Sequence, residues 1–467
     1  MLTIGIILLY ISGWLLIRAV YRDASWMETV GFAFPIGLFV TTLLMWLADW
    51  MGLRLTPVLL LSLNVLMTVA GGWVCRHQLQ RSLKEYRFHF TLNLNNLLWL
   101  LLLALVIYAE ASNFLKTVYF PVYDRDSLAG FDTIGFIAAQ EHTYRGMSIF
   151  DGDYMPQIHQ AGSYISYMPM LQLSYAYVYI LGAATSKLVP ALFFAGFMLG
   201  FYGLMRRVTC ATASIVGVLG MLMTPEMLSF SSLSNTNVVH ACLASAGLLY
   251  VCQWYQSHRF EQLMLGCLLL AANCWMRAEG IIFVATALVL VALRGYGQFR
   301  QLGRKGIEWK LLLLPLAALL PTLLFQVYAQ VEGLTSESIL ITRPFWDAVK
   351  FGDMCSGAWF LSITSTYYGW TFHLFLLVVV LNFILFKKGK ATLHVAGALL
   401  LAFVLYFVLL YHINYIWDTL DHVMNFSAKR FLFCYVPIAW YYIVSNGIVG
   451  QLFHQLDSHI NFRRTEV

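Results

Sequence analysis

The sequence predicts an all-α polytopic membrane protein, and three observations carry that prediction. Hydrophobic residues fill 60% of 467 positions, charged residues only 11%, and mean hydropathy is +0.71. A soluble domain carries about 25% charge, so most of this surface faces something other than water. Apolar runs long enough to cross a hydrocarbon core of roughly 30 Å recur along the chain. The basic residues gather in short segments between those runs, which is the positive-inside bias and not a nucleic-acid-binding surface.

The runs can be taken in order. The first, 2–20, lacks a basic stretch ahead of it and ends on Arg18 and Arg22, with no small-residue cleavage site. It reads as a retained helix and not as a secretion signal. Further runs fall near 28–48, 56–75, 95–115, 188–205, 211–229, 237–255, 311–329, 370–386, 392–411 and 431–449. Two shorter pieces, 262–276 and 280–294, are joined by Arg277-Ala278-Glu279-Gly280, and 168–186 is apolar but rich in Tyr and Gly. Together they make roughly 11 to 14 membrane elements, with no sizeable soluble domain. The eight cysteines stand singly without C-x-x-C spacing and read as small core or lipid-phase residues.

Loop charge sets the expected orientation. Segments 76–87, 294–310 and 387–390 are basic and read as cytoplasmic. Segments 119–167 and 330–365 hold ten Asp and Glu residues against four Arg and Lys, and read as exoplasmic. The count closes if 168–186 does not span the bilayer but packs on protein at its outer face, since lipid-exposed irregular backbone is not tolerated at depth. A count in which 168–186 spans and 262–294 is one helix also closes.

Without a soluble domain, chemistry must come from helix ends and loops. Loop 119–167 offers Asp124, Asp126, Asp132, Glu141, Asp151 and Asp153 among Tyr, Phe and His, with Tyr167 and His159 as further binding candidates. A partly desolvated carboxylate can take the proton of an attacking hydroxyl, and aromatic rings beside carboxylates suit sugar hydroxyls. Asp124 and Asp126 form a D-x-D pair, too few oxygens by itself for a divalent cation, so no metal site is assigned. Arg277 and Glu279 interrupt an apolar run, where charges are costly and mark function or mutual pairing. Glu226 follows Thr224-Pro225 at a helix end. Lys429 and Arg430 precede the last apolar run on the side where positive charge is least expected, a position suited to a bound phosphate. No H-E-x-x-H, Walker, G-x-S-x-G or G-x-G-x-x-G motif occurs, which argues against a zinc protease, an ATP-driven pump or a dinucleotide enzyme. A lipid flippase or other transporter is an alternative, although no internal repeat supports it.

The order of these features resembles the GT-C superfamily of lipid-dependent membrane glycosyltransferases, which includes protein O-mannosyltransferases, oligosaccharyltransferases and aminoarabinose transferases. The similarity covers about 95–450. It rests on the long acidic first loop, on Tyr167-Met168-Pro169-Met170-Leu171, on Arg206-Arg207 at a helix end and on Thr224-Pro225. It rests also on Arg277-Ala278-Glu279-Gly280 and on the series His422, Ser427, Arg430 and Pro437. Residues 1–75 lie outside it and look like an N-terminal addition to a GT-C-like region at 76–467. The resemblance implies a polyprenyl-phosphate-linked sugar donor, an unspecified acceptor (protein, lipid or glycan) and a site on the extracytoplasmic face of a bacterial inner membrane. Phe131-Asp132 resembles the family's catalytic region, so the resemblance makes Asp132 the first candidate base, then Asp126, then Asp124. Arg430 and Lys429 would hold the lipid phosphate, with His422, Arg277, Glu279, Glu226, Tyr167 and His159 as further binding candidates. Where the family often has a second-loop Asp, this chain has Asn235 and Asn237, which puts a metal-dependent mechanism in doubt and keeps a non-catalytic GT-C-like subunit as a further alternative.

Overall fold

The computed structural model describes residues 1–82, 94–150, 164, 167–302, 310–333, 339–341, 345–385, 392–415 and 419–449. His159, Asp151 and Asp153 lie outside the described residues. The chain opens with α1 (Leu2–Val20), α2 (Trp26–Trp50), α3 (Pro57–Ser82), α4 (Leu94–Tyr119), α5 (Asp132–Glu141), α6 (Met170–Ile180) and α7 (Leu188–Met205). There follow α8 (Ala211–Leu222), α9 (Pro225–Ser231), α10 (Thr236–Ser257), α11 (Phe260–Met276), α12 (Gly280–Leu302), α13 (Lys310–Ala317) and α14 (Leu320–Val331). The last part contains α15 (Ala348–Trp359), α16 (Thr371–Leu385), α17 (Leu393–His412), α18 (Leu420–Val423), α19 (Lys429–Phe431) and α20 (Tyr435–Ser445). The described strands are a three-residue antiparallel ribbon, β1 (Ile339–Ile341) with β2 (Ile413–Tyr415).

The all-α polytopic class is the one the composition predicts. Among the described residues, α1, α2, α3, α4, α7, α10, α12 and α17 are each long and apolar enough to cross a membrane. Two bent pairs, α8 with α9 at 75° and α13 with α14 at 45°, meet the same test when taken together. The breaks have local causes. Pro225 occupies the first turn of α9 and Pro321 that of α14, where a missing N–H is tolerated but a continuing helix is not. The single runs expected at 211–229 and 311–329 are therefore each two helices.

Helix α6 has 11 residues, about 16 Å at 1.5 Å per residue, too short to cross. Met170 to Val178 are buried throughout, so the segment packs on protein, as a non-spanning piece at membrane depth must. Arg277 is extended (φ −150°, ψ 144°), which separates α11 from α12 and removes the single-helix alternative for 262–294.

The first three helices are built into the bundle. Gly31 of α2 meets Gly196 and Gly200 of α7 so closely that a Cβ there would come 2.2 Å from the Gly200 nitrogen. Small residues at such a crossing let helices approach to backbone contact. Glu28 closes a capping box with Ser25 and is fully buried against Arg207, which donates to its two oxygens at 2.6 and 2.7 Å. Tyr250 donates to the same carboxylate at 2.7 Å. At the other end of α2, Asp49 accepts from the backbone N–H groups of Tyr144 and Arg145 at 3.0 and 2.6 Å, fixing the turn after α5.

Candidate functional site

The first-loop acids gather on one helical segment. Asp124 accepts from the Ser127 backbone N–H at 3.0 Å and from its hydroxyl, the geometry of an N-terminal cap. The chain then runs from Arg125 through a π-turn, Ser127–Phe131, directly into α5. Single π-turns inside helices recur at functional positions. Here the turn separates Asp126 from Asp132, and the two carboxylates meet different partners.

Asp126 receives the Arg430 guanidinium at 2.5 Å and the Tyr164 hydroxyl at 2.9 Å. Both partners of the ion pair are 25% exposed, so the contact reaches the surface of the chain. Asp132 instead accepts from the Tyr179 hydroxyl of α6 at 2.8 Å. Burial, with Asp126 beside it, pushes the Tyr164 phenol well above its ordinary range. Burial and the bond to Asp132 push Tyr179 up to about 12. Both phenols therefore stay protonated at neutral pH and act as donors to the carboxylates.

The cations arrive from the far end of the chain. Residues 420–445 follow one helical path whose winding changes repeatedly, from α18 through a π-turn at Met424–Ala428 to α19, a 3-10 turn and α20. Lys429 is turned toward α9, where it meets Glu226 at 2.5 Å and lies over the Tyr367 ring. Its carbonyl accepts from the Tyr368 hydroxyl. Arg430 is turned toward Asp126 and faces Phe230 and Phe426. Its Nε is buried without a hydrogen-bond partner among the described residues.

A third pair lies at the α11–α12 break. Arg277 donates to both Glu279 oxygens at 2.6 and 3.2 Å and to the Asn237 side-chain oxygen at 3.0 Å. Burial pushes the Glu279 carboxyl up, but Arg277 beside it outweighs that and holds it below the usual carboxylate range. The Arg277 guanidinium faces Tyr167, which stacks on Tyr164, so the break is linked through two rings to Asp126. Asn235 caps α10 through the Asn237 N–H. The two asparagines are thus a helix cap and an arginine support.

Most sequence candidates consequently fall into one connected group. Asp126, Arg430, Tyr167, Arg277 and Glu279 are joined by the contacts above, the Lys429–Glu226 pair adjoins Arg430 along the chain, and Asp132 meets Tyr179 of α6 instead. Asp124 serves as a cap. His422 is at the exposed rim, stacked 4.1 Å from Phe426, whose other neighbour is Arg430. Lys429 and Arg430, the pair read from sequence as suited to a bound phosphate, are each matched to a carboxylate, and Arg277 pairs with Glu279, one of the two readings its place in an apolar run allowed. Among the described residues no group of three or more His, Cys, Asp or Glu could hold a metal ion, and the D-x-D pair is divided between a cap and an ion pair.

Sequence reasoning missed Tyr164 and Tyr179, which carry no pattern of their own, and also Glu110. Glu110 did leave a signal, a lone acid inside the apolar run 95–115. Of the cysteines, Cys75, Cys242, Cys252, Cys267, Cys274 and Cys434 are buried, as expected, whereas Cys355 is exposed. Compared with known protein families, curated proteins and solved structures, the chain matches none.

Proposed function

We propose that this protein is a membrane glycosyltransferase that moves a sugar from a polyprenyl-phosphate donor to a hydroxyl acceptor on the extracytoplasmic side. The observation that carries the reading is the meeting of Asp126 with Arg430, residues 304 positions apart, on a helical segment that also carries Asp132. Glycosyl transfer from a lipid phosphate needs both kinds of group together: a base for the acceptor, and a cation for the phosphate that departs.

In the reaction, the acceptor oxygen forms a bond to the anomeric carbon as the carbon–oxygen bond to phosphate breaks. The electron pair of that bond goes to the phosphate oxygen, and the acceptor proton goes to Asp132. Arg430 and Lys429 stabilise the charge that accumulates on the leaving phosphate. Single displacement inverts the anomeric centre. Asp126 is the second candidate base. Arg277 and Glu279 support the wall formed by Tyr167 and Tyr164.

Purified protein given a radiolabelled polyprenyl-phosphate sugar and extracted membrane acceptors should transfer label, and Asp132→Asn should slow transfer by about 10²–10⁴ while the protein stays monodisperse. Full activity in that variant would remove Asp132 as the base. Absence of transfer from every polyprenyl-phosphate sugar, together with lipid movement in proteoliposomes, would replace the transferase reading with a transporter.

A further inference from the structure

A second feature lies away from the carboxylate and cation cluster. A cavity of about 940 Å³ runs along α4 between α7 and α8 and reaches Trp26 and Met27 at the start of α2. That volume is near the top of the range for small-molecule sites. On α4 it extends from Trp99 to Leu115, about 24 Å at 1.5 Å per residue, so it follows most of a membrane-spanning helix. Ile107 and Leu115 on its edge are exposed, which opens it toward lipid.

The wall is apolar, with Leu103, Phe114, Ala195, Met198 and Val218 prominent in it. Trp99 donates to the Tyr202 hydroxyl at 3.3 Å, so those two polar groups meet each other. Among the described residues of the lining, Glu110 is the one acidic or basic side chain. Both of its carboxyl oxygens are buried and lack a hydrogen-bond partner among the described residues. Asn113, its polar neighbour one turn on, gives its amide to Ser231 at 3.0 Å and lies beside the Glu110 carboxyl without a contact that meets hydrogen-bond geometry. A buried carboxyl is normally matched by donors, so an orphaned one in a lipid-facing groove points to a donor brought by a ligand.

We propose that this groove binds a neutral long-chain alcohol, with the hydrocarbon chain along α4 and the hydroxyl donating to Glu110. The chemistry selects that class. The long apolar wall matches a hydrocarbon chain, whose burial contributes about 0.8 kcal/mol for each CH₂. A single acceptor side chain matches a single donor. Glu110 lies nine residues before the end of α4, about 14 Å below it, where a charge on the ligand is costly. An anionic head would in addition face the carboxyl with no cation on the lining to match it. The site is thus distinct from one that holds a lipid phosphate, and it does not depend on the transferase reading.

The test is carbodiimide labelling of the purified full chain in detergent, read at Glu110 by peptide mass. Dicyclohexylcarbodiimide, being apolar, should modify Glu110. Hexadecanol should slow that modification about tenfold relative to hexadecane, the worth of one net hydrogen bond. Palmitate should protect no better than hexadecane. Native mass spectrometry supplies a second readout: Glu110→Leu should lose the preference for alcohol over alkane, and Ala195→Trp, which fills the groove, should lose both ligands. Equal protection by hexadecane and hexadecanol would overturn hydroxyl recognition by Glu110. Stronger protection by palmitate would overturn the neutral ligand class, and unchanged alcohol binding in Ala195→Trp would overturn the location.

Discussion

Replacing Arg430 by Gln and Asp126 by Asn, singly and together, separates a structural ion pair from a chemical one. The pair is short, 2.5 Å, and each side chain is 25% exposed. Fully exposed pairs contribute about 0.2–1 kcal/mol, and breaking a fully buried one costs about 3–5 kcal/mol. A quarter-exposed pair with a second donor, Tyr164, falls between, so each single variant should lose about 1–3 kcal/mol of stability. The double variant should lose less than the sum, because neither partner is left behind uncompensated. Activity should follow a different pattern. If Arg430 stabilises the leaving phosphate, Arg430→Gln should cost about 10²–10³ in kcat, the usual worth of one charge-stabilising donor. Asp126→Asn leaves the guanidinium in place and should stay within about tenfold of the parent. The double variant should be as inactive as Arg430→Gln while being nearly as stable as either single. Thermal unfolding in detergent and transfer of labelled sugar measure the two quantities on the same preparations. Activity restored in the double variant would show that Arg430 acts only through its pairing, and would refute the phosphate assignment.

Other outcomes follow from the same geometry. Asp132→Asn should lower kcat by about 10²–10⁴ with little effect on melting, whereas Asp124→Ala should cost about 0.5–2 kcal/mol of stability through the lost cap, with kcat preserved in the folded fraction. Glu28→Gln leaves Arg207, only 19% exposed, facing a neutral partner, and should destabilise the protein by about 3–5 kcal/mol in thermal or denaturant unfolding. Glu279, held below the usual carboxylate range by Arg277, contributes stability that is fully present above its unfolded pKa of about 4.3 and is lost as pH falls through the lower folded value. Glu279→Gln should therefore flatten the acid limb of a stability–pH profile, and an unchanged limb would remove the pair from the acid response.

The fold class was legible because the bilayer imposes one constraint on every span: backbone groups must be satisfied within the segment. The break at Arg277 was legible in kind, since charge disturbs an apolar run for a local reason, and Thr224-Pro225 reads as a helix end although 211–229 reads as one run by hydropathy. The bend within 311–329 was not foreseen, because Pro321 stands in a run that hydropathy alone reads as continuous. Within the site, residue types were legible and partners were not. The acids of the first loop and the cations of the last could be named from sequence, but nothing local in either segment specifies that Arg430 meets Asp126 or that Lys429 meets Glu226. Those choices depend on the π-turns at 127–131 and 424–428, which rotate the following side chains and have no composition signal. Tyr179 reaches Asp132 only because α6 packs inside the bundle.

The partners also decide between the two carboxylates. A carboxylate bonded to a guanidinium must part from it before it can take a proton, and that separation leaves two partly buried charges unmatched. One bonded to a phenol O–H needs only to exchange a hydrogen bond. Asp132 is in the second situation and Asp126 in the first. On the proposed transferase reading, base work therefore suits Asp132, while Asp126 would hold the guanidinium of Arg430 in a fixed direction through its shared bond to Tyr164. A phosphate arriving at Arg430 competes with Asp126 for the same donors, and the buried Nε gives the guanidinium a donor that Asp126 does not use. On the proposed transferase reading, each carboxylate would keep its cation aligned until an anion with more oxygens to offer displaces it.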